Sequence, residues 1–106
     1  MHAVIFEVQI KDGAKQTYLD IANQLRTQLI DVPGFISIER FQSLVNKDKL
    51  LSLSYWEDET AIKNWKANFD HKQAQTKGRQ SIFKDYRICV VKIKRDYTLE
   101  TSSFEA

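Results

Sequence analysis

The chain contains 106 residues, which is room for one domain and leaves none for a separate cofactor-binding domain. It is 42% hydrophobic and 28% charged, the composition of a folded globular protein, and this excludes an intrinsically disordered chain. The formal net charge is only +2. We expect one domain over residues 1–97 and a mostly polar tail over residues 98–106.

Basic residues are concentrated in the second half of the chain. Ten of the sixteen Lys and Arg residues lie between Lys63 and Arg95, where Asp70 and Asp85 are the only acids. Such a cluster can attract an anionic ligand or a nucleic acid, but Lys residues scattered along a helix more often form a solvated face. The predicted strands lack the glycine-aromatic motif of RNA-binding sheets, so we expect no nucleic-acid partner.

The start of the chain and its single cysteine bear on localisation and thiol chemistry. The start, MHAVIFEVQI, has neither the basic beginning nor the apolar run of a secretory signal, and no apolar stretch approaches the roughly 20 residues that cross a bilayer. We therefore expect a cytoplasmic protein without membrane contact.

Cys89 lies in the apolar run 88–91, which favours an inert buried thiol over a nucleophile.

Hydrophobic periodicity predicts a strand followed by a helix. Apolar residues alternate from Ala3 to Ile10, the pattern of a strand with one buried face. Asp12 is positioned to cap a helix in which apolar residues recur every three or four positions from Ala14 to Leu29. Pro33 and Gly34 are expected to end this segment, since Pro disfavours a helical conformation before it and Gly permits a turn.

A predicted hairpin and a second helix follow. Phe35 to Leu44 and Leu50 to Trp56 are predicted as antiparallel strands, joined by a polar turn at Asn46 to Lys49. Asp58 then offers a cap for the second helix. The buried stripe of that helix is predicted to consist of Ile62, Trp65 and Phe69.

The remaining segment is predicted to finish the domain. Helical character is expected to resume from His71 to Lys77 and to break near Gly78. A last strand from Arg87 to Tyr97 is rich in Ile and Val.

This order, strand, helix, strand, strand, helix, strand, is the α+β, ferredoxin-like βαββαβ arrangement, an antiparallel four-stranded sheet with both helices on one face. The other face should then be polar, yet Ala3, Ile5 and both faces of the last strand are apolar. Because a soluble monomer rarely leaves such a patch bare, we expect a homodimer that covers it.

The absence of several motifs removes whole classes of enzyme. The chain has no GxGxxG, GxxxxGK[ST], HExxH or GxSxG motif, so nucleotide-dependent and triad mechanisms are not expected. His71 is the better placed of two histidines, because it follows Trp65 in an aromatic and basic region. Its imidazole could transfer a proton, polarise a carbonyl or ligate haem iron. The alternative is a structural helix-terminal histidine that packs on Trp65, itself more often a core residue than a cofactor contact.

Short motifs in this order resemble the antibiotic-biosynthesis monooxygenase superfamily of dimeric α/β barrels. The motifs that carry the resemblance are Pro33-Gly34-Phe35, the strand end Ser52 to Trp56, the helix start Glu57-Asp58-Glu59, Ile62 to Trp65, His71 and Tyr86-Arg87-Ile88. The resemblance spans Val4 to about Arg95. It implies a dimer with one pocket per subunit between sheet and helices.

The resemblance also implies candidate activities. Members include cofactor-independent oxygenases of phenolic compounds, quinol oxygenases and haem-degrading enzymes. In the quinone-forming members an Asn one helical turn before the tryptophan helps hold the substrate; that position here is Ala61, and Asn64 directly precedes the tryptophan. Haem-degrading members use an Asn on the first strand, where this chain offers Phe6 or Glu7, and a His later in the helix, where it has residues such as Gln75.

We therefore expect an oxygenase that oxidises a small aromatic substrate with O₂ and no cofactor. The catalytic residues would be His71 and Trp65. The predicted substrate-binding residues are Tyr55, Asn64, Phe83 and Arg79, the last of which can also pair with Asp70 or Asp85. The alternatives are a haem-binding protein with His71 as the iron ligand and a non-catalytic dimer that binds a small ligand.

Overall fold

The secondary structure follows the predicted order of strand, helix, strand, strand, helix and strand. The computed structural model describes residues 1–75 and 82–101, with side chains described for all of these except residues 68–75. The elements are β1 (His2–Ile10), α1 (Lys15–Leu29), β2 (Phe35–Gln42), β3 (Lys49–Trp56), α2 (Glu59–Gln75) and β4 (Phe83–Lys92).

The four strands form one antiparallel sheet in the order β2-β3-β1-β4. Both helices contribute side chains to one cavity on the same face of this sheet. The predicted α+β, ferredoxin-like βαββαβ fold is therefore confirmed. No helix in the described part of the chain is long and apolar enough to cross a bilayer.

The last strand was predicted too late in the chain. β4 begins at Phe83, not Arg87, and ends at Lys92, not Tyr97. Its bounds match those of its partner β1, because the ladder runs from the Ile10–Phe83 pair to the His2–Lys92 pair. Strand propensity in the following residues cannot form a strand without a partner.

The two predicted helix caps differ in outcome. Asp58 is confirmed, because its Oδ1 accepts a hydrogen bond from the Ala61 backbone N–H at 2.8 Å and α2 begins at the next residue. Asp12 is wrong as a cap, since α1 begins at Lys15 after Ala14, and no side chain caps that end.

Two further boundaries also move. β2 ends at Gln42 and not at Leu44. The Ser43 hydroxyl accepts hydrogen bonds from the backbone N–H groups of Val45 and Asn46, and these bonds turn the chain. α2 runs without interruption to Gln75, where a second start at His71 was predicted. The predicted break near Gly78 lies outside the described residues.

Most of the buried apolar residues in the described part of the chain form two clusters, one at each end of the sheet. One cluster contains Val8, Ile10, Tyr18, Leu50 and Ile82. The other contains Leu29, Trp56, Ala61 and Ile62, with Trp65 and Phe35 packed against it. The space between these clusters is not filled by side chains, and the site described below occupies it.

The face of the sheet away from the helices is apolar at its centre, as predicted. Side chains on this face alternate with those that face the helices. They include Ala3, Ile5, Leu51, Leu53, Tyr55, Cys89 and Val91. Val91 is 38% exposed and Phe41, at the edge, 45% exposed, while Cys89 is half-buried. Glu7, Glu39 and Arg87 lie on the same face beside these residues, so only its centre is apolar. Its coverage by a second copy stays a prediction.

Candidate active site

A cavity of about 400 Å³ lies between the sheet and the two helices. This volume falls within the roughly 300–1,000 Å³ that is usual for small-molecule sites. Most of its lining is aliphatic or aromatic, and the aromatic members are Phe6, Tyr18, Trp56, Trp65 and Phe83. Such a lining favours a ligand with a large apolar body.

The register of the strands determines the floor of the cavity. Residues opposite one another on neighbouring strands form rows across the sheet, and alternate rows face the helices. From β2 to β4, one such row is Arg40, Ser52, Phe6 and Ile88. The adjacent inward row is Ile38, Ser54, Val4 and Val90. All eight side chains line the cavity, so its floor is polar only on the β2–β3 half.

The helices form the roof through their apolar stripes. α1 contributes side chains that are three or four residues apart and therefore share one helix face. These are Tyr18, Ile21, Ala22, Leu25 and Leu29. α2 contributes Ile62, Trp65 and Lys66. The predicted amphipathic character of α1 is thus what places its apolar side over the cavity.

Trp56 is a fixed wall at one end of the cavity. It is only 2% exposed, and its indole Nε1–H donates a hydrogen bond to Ser54 Oγ at 2.9 Å. The Phe35 ring packs edge-on against it with a centroid distance of 5.3 Å. Because a buried indole N–H needs an acceptor, Ser54 both satisfies Trp56 and orients its ring.

Aromatic rings also close the opposite end. The Phe83 centroid lies 6.1 Å from that of Phe6 and 6.0 Å from that of Tyr18. The rings of Phe6 and Tyr86 stack at 5.8 Å with planes only 4° apart. These distances are within the range of favourable aromatic pairs, so the rings hold one another in place.

The structure brings two of the six predicted site residues to this cavity. Trp65 and Phe83 line it, and both are half-buried. His71 belongs to α2, but its side chain lies outside the described part of the chain. Arg79 is also outside the described residues.

Tyr55 and Asn64 do not line the cavity. Tyr55 lies between Ser54 and Trp56, which both face the helices, so strand alternation directs it to the opposite face. Asn64 is exposed on α2, next to the inward-facing Trp65. Of the predicted aromatic residues, Trp65 and Phe83 therefore line the cavity, and Trp56, Phe6 and Tyr18 contribute the other rings.

The polar residues of the cavity were not predicted. Arg40, Ser52 and Ser54 reach it from β2 and β3, and the exposed Lys66 reaches it from α2. Which polar residues meet in the cavity depends on the strand register. The alternation of Ser52 and Ser54 with leucines indicates that the two serines share a face of β3, but it does not determine how the strands pair. His2, the other histidine of the chain, is the first residue of β1 and is half-buried.

The charged groups around the cavity are cationic. Arg40 and Lys66 are the only charged residues among the described lining residues, and no Asp or Glu occurs among them. The described residues also contain no cluster of three or more His, Cys, Asp or Glu that could hold a metal ion. Of the usual protein ligands for haem iron, the described lining offers only the Tyr18 hydroxyl. An imidazole for iron would have to come from His71.

Comparison of the sequence with protein families gives one match. The model of the family described as antibiotic biosynthesis monooxygenase matches residues 1–77. The chain is 41% identical over 90 residues to a Pyricularia oryzae protein named jasmonate monooxygenase ABM; the aligned part is 85% of this chain and only 42% of that protein. It is 29% identical over 94 residues to Bacillus subtilis YqjZ, covering 89% of this chain and 80% of YqjZ. The chain therefore spans less than half of the fungal relative.

Solved structures with the same fold are more distant in sequence. A putative antibiotic biosynthesis monooxygenase from Deinococcus radiodurans has a TM-score of 0.79 at 11% identity, over 93% of this chain and 98% of that one. A variant of SnoaB, a cofactor-independent oxygenase from Streptomyces nogalater, has a TM-score of 0.74 at 10% identity, over 90% and 94%. A variant of MhuD with two manganese protoporphyrin IX bound per active site has a TM-score of 0.72 at 15% identity, over 92% and 99%. These likenesses establish the fold.

Proposed function

Because the chain belongs to the antibiotic biosynthesis monooxygenase family, we propose that it oxygenates a small aromatic molecule of the phenol or quinol type in the cavity between sheet and helices. The observation that carries the proposal is the lining of that cavity, which is about 400 Å³ in volume and mostly aliphatic and aromatic. A phenolic ring matches this surface, and the walls would shield its reacting carbon from water.

The proposed reaction needs no external reductant. An aromatic C–H ortho or para to a phenol oxygen, or a doubly activated CH₂, is converted to a carbonyl. The substrate loses four electrons and two hydrogen atoms, and O₂ gains the four electrons. One oxygen atom enters the product and the other leaves as water, so a bound redox cofactor is not required by the balance.

The chain's contribution would be to hold the substrate and remove its proton. In this proposal Trp65 and Phe83 press against the faces and edge of the ring, while His71 accepts the phenolic proton so that an electron-rich anion meets O₂. Arg79 remains a proposed partner for that anion. Tyr55 and Asn64 have no place in this assignment, because neither lines the cavity.

An oxygen electrode and isotopically labelled O₂ test the proposal. Purified protein is supplied with hydroquinones and anthrone-type phenols, the compounds to which this balance applies. We expect one O₂ consumed per product and one labelled oxygen in each product. His71→Ala should lower kcat and His2→Ala should not. No oxygen uptake with any of these would contradict the proposal, and equal rates in both variants would remove His71 from the mechanism.

A haem protein is the second candidate, supported by the porphyrin-bound MhuD variant of the same fold. In that case His71 would be the iron ligand, since the described lining supplies no imidazole. Titration with haemin should then give a saturable Soret band that His71→Ala abolishes. Absence of a band in wild type would dismiss this candidate.

We also propose that two copies of the chain associate through the apolar outer face of the sheet. Leu53 and Ile5 lie opposite each other at its centre, and Cys89 is the next residue of the same row. Burial of such a face is the usual reason for a stable two-fold dimer. Sedimentation equilibrium should give twice the 12.4 kDa of the chain. A dimer that binds phenols without oxygen uptake would be a non-catalytic ligand-binding module.

A further inference from the structure

Arg40, a half-buried residue, contributes a guanidinium to the lining of a cavity that is mostly apolar. Its Nε is buried and has no hydrogen-bond partner. No Asp or Glu is among the described residues that line the cavity, so the described lining offers the guanidinium no counter-ion. A buried charged donor without an acceptor is costly, and a ligand that brings the acceptor would recover that cost.

An irregularity in β2 is what directs Arg40 inward. Phe35 pairs with Trp56 and Ile38 pairs with Ser54, while Ser37 pairs with the intervening Tyr55, so β2 holds one extra residue there. This bulge shifts the alternation of the strand. Without it, an uninterrupted pattern from Phe35 would turn Arg40 to the outer face. β-bulges commonly re-aim side chains next to functional sites.

The floor of the cavity is therefore polar at one end and apolar at the other. In the row that starts at Arg40, the next residue is Ser52 on β3, and Phe6 and Ile88 follow on β1 and β4. Three strand spacings of about 4.8 Å separate the two ends of this row, which is about 14 Å. One end offers a guanidinium and a hydroxyl, and the other offers only hydrocarbon. Such a floor fits an amphiphilic molecule in one orientation.

We propose that Arg40 binds the carboxylate of an organic acid whose apolar body extends over Phe6 towards Ile88. The Nε and one terminal nitrogen of a guanidinium form a fork that matches two carboxylate oxygens, whereas a phenolate offers only one oxygen. Lys66, exposed on α2, adds a second positive charge that attracts an anion to the cavity. The inference rests on the proposed function only in taking this cavity as the substrate site, and it narrows the substrate to an acid.

Calorimetric titration with phenylbutyrate and with phenylbutyramide tests the inference. The two probes have the same apolar body, and the amide is uncharged because an NH₂ group replaces one carboxylate oxygen. We expect wild type to bind the acid at least about tenfold more tightly than the amide, as a charge-assisted hydrogen bond allows. Arg40→Gln should remove this preference, and Arg40→Lys should keep only part of it, since Lys retains the charge but loses the fork. Arg26→Gln is the matched control, because Arg26 is exposed on α1 and does not line the cavity.

Three results would overturn the inference. They are undetectable binding of the acid to wild type, equal binding of acid and amide, and a preference that survives in Arg40→Gln with an unchanged melting temperature. The measurement needs no turnover, so its failure is separate from that of the proposed reaction. If the protein prefers the acid but consumes no O₂, only the proposed oxygenase activity is contradicted. If it consumes O₂ but shows no preference for the acid, only the proposed carboxylate site is contradicted.

Discussion

Of the two glycines in the described part of the chain, Gly34 has the less room for a side chain. Its φ is +86°, in the left-handed region, and a Cβ built there would lie 2.6 Å from the Cβ of Ala61. Gly13 has a similar φ of +78° but open space around it. Replacing each glycine by Ala therefore separates backbone strain from steric conflict within one protein.

The expected losses of stability follow from these two contributions. A non-glycine residue in the left-handed region costs about 1–2 kcal/mol, and the lower entropy of the unfolded chain offsets about 0.4–1 kcal/mol of it. Gly13→Ala should therefore lower the free energy of unfolding by about 1 kcal/mol. Gly34→Ala adds the overpacking against Ala61, about 1–3 kcal/mol, for a total of about 2–4 kcal/mol.

Urea denaturation monitored by tryptophan fluorescence gives both losses. The double variant Gly34→Ala, Ala61→Gly removes the conflicting methyl group, so its loss should be smaller than the sum of the two single losses by about the steric contribution. Additive losses, or an equal loss in Gly13→Ala and Gly34→Ala, would refute the close packing of the Pro33-Gly34-Phe35 corner on α2.

Three further changes test the caps, the tryptophan wall and the outer face. Asp58→Ala should lower the free energy of unfolding in urea by about 1 kcal/mol, because it removes a capping hydrogen bond. Asp12→Ala should change it by no more than about 0.5 kcal/mol, because Asp12 does not cap α1. Equal losses would contradict the assigned helix starts. Ser54→Ala should cost about 1–3 kcal/mol because it leaves the buried Trp56 indole N–H without its acceptor, and an unchanged melting curve would contradict that hydrogen bond. Leu53→Glu, which puts a charge at the centre of the apolar outer face, should halve the sedimenting mass and leave the circular dichroism spectrum unchanged; a persistent dimer would place the interface elsewhere.

The parts of the fold that follow from local patterns could be predicted from the sequence. The period-two alternation of β1 and the three- and four-residue spacing of α1 gave these elements and their buried sides. Asp58 gave the start of α2 because its carboxylate is three residues before the N–H it accepts from. Boundaries that depend on a distant partner could not be predicted, and β4 is the example, since its bounds match those of its partner β1.

Which residues of β2 line the site depends on the bulge near its start, and the periodicity of the sequence does not reveal this bulge. Regular alternation from Phe35 would put Phe41 towards the helices, but the bulge turns Phe41 outward, where it is 45% exposed, and Arg40 inward. Tyr55 was predicted to bind substrate, but its neighbours Ser54 and Trp56 face the helices, and adjacent strand residues face opposite sides. Trp65 could be placed correctly because the helix period and the apolar stripe agree there.

If substrate is oxidised in the cavity beneath the helices, a side chain that fills this cavity should slow the reaction. Leu25 lines the cavity from α1, and its neighbour Gln24 is exposed and does not line it, so Leu25→Trp and Gln24→Trp place the same ring inside and outside. With both variants folded, we expect at least about a tenfold fall in kcat/KM for Leu25→Trp and less than about a twofold change for Gln24→Trp. Equal kcat/KM values for the two variants would contradict it.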